Sequence, residues 1–71
     1  MRDSIGNIIN INDNVKHRFR PNYSIGKVVK IEDGCNAVCW VDFGEKVLNK
    51  KHLTICIQKD IIKQRTQWQN M

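Results

Sequence analysis

Three aromatic side chains, Tyr23, Trp40 and Phe43, are the first candidates for chemistry. Rings that meet at a mouth hold a cation against their faces, at roughly 0.5–2 kcal/mol per contact. A second pattern interleaves cations with rings: Lys16, Arg18, Phe19, Arg20, Tyr23, Lys27 and Lys30. Mobile cations bind phosphates, and bases stack on exposed rings for roughly 1–3 kcal/mol each. Arg18 and Arg20, two apart, would lie on one side of a strand and clamp a single phosphate or carboxylate. The plain alternatives are rings in the core and an ordinary solvated basic face. Trp40 shares a strand face with Val38, which assigns it to the core. Phe43 precedes a turn and is expected half-exposed, and Tyr23, beside Pro21 and Asn22, is expected exposed.

Other chemistries find less support. Cys35, Cys39, Cys56, His17 and His52 are the soft ligands available. Zinc usually takes two close pairs. Here the nearest pair, Cys35 and Cys39, would stand about 13 Å apart on an extended strand. No metal or cofactor is expected, and Cys39 and Cys56 read as small core residues. A Cys–His nucleophile pair such as Cys39 with His52 has nothing to fix its geometry. The glycines are scattered, with no phosphate-cradling loop, and Glu32 and Asp33 read as turn formers. The expectation is a binding module, not an enzyme.

The chain has 71 residues and a net charge of +5. That length makes one domain with a thin core, burying only roughly 60% of its unfolded surface. The basic balance favours acidic partners such as nucleic acid. Three cysteines, an odd number without a CxxC, read as free thiols in a reducing compartment. With no apolar run of about 18 residues and no signal-like N-terminus, a cytoplasmic chain without membrane contact is expected.

These residues must be positioned by short strands. Residues 1–11 read as a lead-in and 12–57 as five strands. The first carries Val15, His17 and Phe19 in alternation. The second runs from about Ile25 to Glu32, where alternation fails once and implies a bulge near Val29. Asp33-Gly34 reads as a tight turn. The third strand, about Asn36 to Phe43, sends Val38, Trp40 and Asp42 one way and Cys39, Val41 and Phe43 the other. Lys46–Leu48 is a short strand, Lys50–His52 a helical turn and Leu53–Ile57 a last strand. Five such strands predict a small all-β barrel. Residues 58–71 read as a short C-terminal helix or tail, with Ile57, Ile61, Gln64 and Trp68 on one face.

Two stretches carry a family resemblance. One is Ile11–Val15 followed by Pro21–Ile31. The other is Ala37–Gly44, with Val47 and Leu53. Together they resemble Tudor and KOW-type SH3-like barrels, including those at the C-termini of bacterial repair helicases. The resemblance implies a module that binds methylated side chains, nucleic acid, or nucleic-acid machinery such as RNA polymerase. It puts Phe43 at the aromatic of the Tudor D-Y-G run and Tyr23 in a loop that supplies another cage wall. Glu45 replaces the usual Asn, and Asn12 replaces the Gly of the opening G-D. The nucleic-acid or partner-binding residues expected are Lys16, Arg18, Arg20, Tyr23, Lys27 and Phe43. The alternative is a protein-interaction module or small inhibitor that binds through Trp40, Phe43 and Trp68.

Overall fold

The computed structural model describes residues 1–64. The strands are β1 (Asn14–His17), β2 (Gly26–Glu32), β3 (Val38–Asp42), β4 (Lys46–Val47), β5 (Lys50–Lys51), β6 (Thr54–Ile57) and β7 (Ile61–Lys63). A single 3₁₀ turn, Gln58–Asp60, joins β6 to β7. Five strands form one antiparallel sheet in the order β6-β3-β2-β1-β7, and β4 and β5 form a separate hairpin.

Alternation builds the core. Val15 and His17 of β1, Val28 of β2, Cys39 and Val41 of β3, Cys56 of β6 and Ile61 of β7 all point inward and are buried, with Ile9 and Phe43 beside them. The register between β2 and β3 shifts between Val28 and Lys30. This is the bulge expected near Val29, and it lets Ile31 rejoin the core side while Val29 and Lys30 face out. The strands at the two edges of the sheet, β6 and β7, are consecutive in the chain. The sheet must therefore coil enough for three residues to span from one edge to the other. Asp60 caps this crossing by accepting a hydrogen bond from the Ile57 amide at 3.0 Å.

Several local expectations change. Over residues 58–63 the chain is not an α-helix: it makes the 3₁₀ turn and then β7. A helix this short is marginal alone. As a strand, the same residues bury Ile61 completely and give β1 a second partner. Trp68 lies outside the described residues. The fifth strand of the sheet is thus β7, while Lys46–Leu48 pairs with the segment read as a helical turn. Asp33-Gly34 is part of a five-residue connection, 33–37, between β2 and β3. Residues 1–11 form no strand, yet Asp3 and Ile9 are both buried.

Candidate functional site

Strand β1 ends at His17, and the residues that follow form a loop rather than more strand. The end is set locally: the Phe19 amide donates to His17 Nδ1 at 3.2 Å, and the Arg18 amide donates to the Asp60 carbonyl at 2.7 Å. Arg18 and Arg20 therefore do not sit side by side on a strand. Arg18 places its guanidinium over the Phe19 ring, 5.2 Å from the centroid, and donates from Nη1 to the Lys59 carbonyl at 2.9 Å. Arg20 lies over Tyr23, 5.5 Å from its centroid. Two cation–ring pairs thus stand in one loop, and Phe19 remains 60% exposed.

The support for this loop is aromatic. His17, buried at the end of β1, meets Phe19 at 6.3 Å, Tyr23 at 6.0 Å and Phe43 at 5.9 Å between centroids. Tyr23 packs on Phe43 at 5.1 Å. The Tyr23 hydroxyl donates to Glu45 at 3.0 Å, a bond that, with some burial, pushes the phenol above its usual range.

The aromatic pocket of Tyr23, Trp40 and Phe43 does not assemble. Phe43 is a core residue, only 4% exposed, because the inward face of β3 continues through it. Trp40 is half-buried on the opposite face, under the Lys30 ammonium at 4.7 Å from its centroid, and is not in the core. Lys16 and Lys27 point outward from β1 and β2, where Lys27 faces Asp42 across the strand pair. Of the basic-aromatic set, the structure gathers Arg18, Phe19, Arg20 and Tyr23.

His17, Cys56 and Asp60, which the sequence did not group, bring ligand atoms within 4.8 Å of one another. The hydrogen bonds leave this cluster poorly suited to a metal. With Nδ1 accepting from Phe19, a neutral His17 ring carries its proton on Nε2 and has no free lone pair. Burial pushes the Cys56 thiol up to about 12 and the Cys39 thiol to about 11, so with no metal bound both are protonated at neutral pH. Among the described residues no helix is long and apolar enough to cross a membrane.

No family model, curated protein or solved structure matches this chain.

A second surface feature was missed in the sequence. The β4–β5 hairpin turns through Leu48 and Asn49, whose φ angles are +53° and +63°. Left-handed pairs of this kind suit Asn-Gly, and the Asn is the readable half of the signal. Leucine is disfavoured there by contact between Cβ and backbone, and its side chain is 91% exposed. The flanking residues include Lys46, Lys50 and Lys51, with Lys51 paired to Asp42 at 3.3 Å. Leu48→Asn is expected to raise stability by up to about 1 kcal/mol, because it relieves this backbone conformation and forfeits no buried contact. Denaturant melts of the two proteins check this; an unchanged or lower midpoint would mean that the turn is not strained by leucine.

Proposed function

We propose that this chain is a small SH3-like barrel of the Tudor/KOW type that works as a non-enzymatic binding module on nucleic acid, alone or within nucleic-acid machinery. The barrel reading is supported by the order β6-β3-β2-β1-β7, in which a three-residue 3₁₀ turn joins the two edge strands. The site reading rests on one observation: Phe19, 60% exposed, stands beneath the Arg18 guanidinium in a loop that also holds Arg20 over Tyr23. An exposed ring accepts a base by stacking, and the adjacent guanidinium takes the phosphate. The net charge of +5 adds non-specific attraction.

The test is the affinity for a labelled single-stranded oligonucleotide as salt is raised. Phe19→Ala is expected to weaken binding roughly tenfold, from the loss of one stacked base. Arg18→Ala should lower the slope of log affinity against log salt by about 0.7, the share of one phosphate contact. An affinity indifferent to salt, or a Phe19→Ala variant that binds like the parent, would refute this reading.

A second reading has its own observation. On the outer face of the sheet Trp40 opposes Ile55 and Val38 opposes Ile57, and Ile55 is 59% exposed. This surface suits an apolar protein partner. Of the residues assigned to that alternative, Trp40 belongs here and Phe43 does not. Oligonucleotide binding that failed while Ile55→Asp abolished capture of a protein would favour it.

A further inference from the structure

A cavity of about 440 Å³ opens beside the loop, lined by Ser4, Arg18, Cys35, Asn36, Gln58 and Lys59 among others. Four segments far apart in sequence meet there: the lead-in, the end of β1, the β2–β3 connection and the 3₁₀ turn. The volume falls within the range of small-molecule sites. Its chemistry is one-sided. Arg18 and Lys59 bring positive charge, and no carboxylate belongs to the lining. Neither cation is in a salt bridge among the described residues. Asn36 and Gln58 offer neutral hydrogen-bonding groups.

The geometry points to this cavity as a phosphate site for a nucleotide, with Arg18 shared between the phosphate in the cavity and the base stacked on Phe19. For its ligand class this inference rests on the nucleic-acid reading above. Arg18 is placed for both roles. Its guanidinium touches the Phe19 face, and the hydrogen bond from Nη1 to the Lys59 carbonyl holds it at the cavity wall. A guanidinium has further donors beyond that one, arranged in a plane that matches phosphate oxygens. Lys59 and the side-chain amide of Asn36 would complete the anion's hydrogen bonds. The same chemistry is presented by a free nucleotide and by a phosphodiester within a strand.

Cys35 provides the reporter. It is the exposed cysteine of the three and lines this cavity, whereas Cys39 and Cys56 are wholly buried. Alkylation of the folded, reduced full chain by a neutral thiol reagent therefore reads Cys35. The rate would be measured alone, with adenosine 5′-monophosphate, and with a short oligothymidylate, alongside oligonucleotide affinity by fluorescence polarisation. At saturating ligand a slowing of threefold or more is expected. Protection by both probes assigns the site to nucleotides in general, and protection by the oligonucleotide alone assigns it to a strand phosphodiester. Asn36→Ala and Lys59→Ala should each reduce the protection while leaving the circular dichroism spectrum unchanged. Unprotected Cys35 together with measurable oligonucleotide binding would overturn the cavity site and leave the loop reading standing. No binding of either probe by any readout would overturn both.

Discussion

Asp3→Asn is expected to destabilise this protein by about 3 kcal/mol, enough to remove most of the stability of a domain this small. The carboxylate is fully buried and satisfied on both oxygens. Oδ1 accepts from the amides of Ile5 at 3.1 Å and Asn7 at 2.8 Å, and Oδ2 accepts from Asn7 Nδ2 at 3.2 Å and from the Lys63 amide at 2.7 Å. The last bond matters most. Among the described residues β7 is an edge strand, and its outward Lys63 amide has no strand partner. Asp3 covers that edge, helped by the Ser4 amide on the Ile61 carbonyl at 3.0 Å. An asparagine keeps one acceptor oxygen and turns an NH₂ group toward two donors, which leaves those donors unsatisfied in the interior.

The pH dependence of the same group follows from its hydrogen bonds. Burial alone would raise the Asp3 carboxyl; the donors from Lys63, Asn7 and Ile5 outweigh it and hold it below the ordinary carboxylate range. A depressed folded-state value means stability that is fully present above the unfolded carboxylate value of about 4 and is lost as pH falls through the folded value. Thermal melts from neutral to acid pH should therefore show a decline in the parent that Asp3→Asn lacks. Parallel declines in the two proteins would show that another group carries the acid sensitivity, and a variant as stable as the parent at neutral pH would disprove the role of Asp3 altogether.

This contact explains why the two ends of the chain were the least legible in sequence. Asp3 reads locally as the partner of Arg2, and nothing near it indicates a bond to Lys63, sixty residues away. The stretch 57–64 satisfies a helical pattern at Ile57 and Ile61, but a short helix has no local reason to persist. The free edge of β1 and the space for Ile61 decide the outcome, and both are tertiary. The middle of the chain was legible because its signals are local. Alternation in Val15–His17 and Val38–Phe43 survives as the inward face of β1 and β3, and the single failure of alternation in the second strand is the bulge between Val28 and Lys30.

The candidate site divides on the same line. Arg18, Phe19, Arg20 and Tyr23 are close in sequence, so the composition of cations and rings alone groups them. The aromatic pocket needed residues from two strands and a loop, and there the expectation for faces failed. The turn after Phe43 argues for a half-exposed ring, yet Phe43 continues the apolar face of Cys39 and Val41 and packs inward. Trp40, on the other face, has no second layer to cover it among the described residues. Ser4, Lys59 and Glu45 enter only through the fold, because each meets its neighbours across more than twenty residues or through the 3₁₀ turn.

Gly26→Ala is expected to cost about 2–3 kcal/mol, the second largest effect, for a reason that connects the core to the loop. A Cβ built on Gly26 would stand 2.5 Å from Phe43 Cδ1, 2.5 Å from Val41 Cγ1 and 2.7 Å from Phe43 Cε1. The backbone of β2 thus passes directly against the ring, and only hydrogen fits between them. Phe43 cannot yield freely, since Tyr23 and His17 pack on it at 5.1 Å and 5.9 Å between centroids. Moving the ring would disturb the layer beneath Arg18 and Phe19, so oligonucleotide affinity should fall along with the melting temperature. A double-mutant cycle isolates the contact. Phe43→Leu alone should cost about 1–2 kcal/mol by loss of buried volume. In the Gly26→Ala background the smaller side chain relieves the clash with the ring but not the one with Val41, so the double variant should be somewhat more stable than the sum of the two single effects allows. Strict additivity in denaturant melts would mean that Val41 Cγ1, equally close, sets the cost of the methyl group.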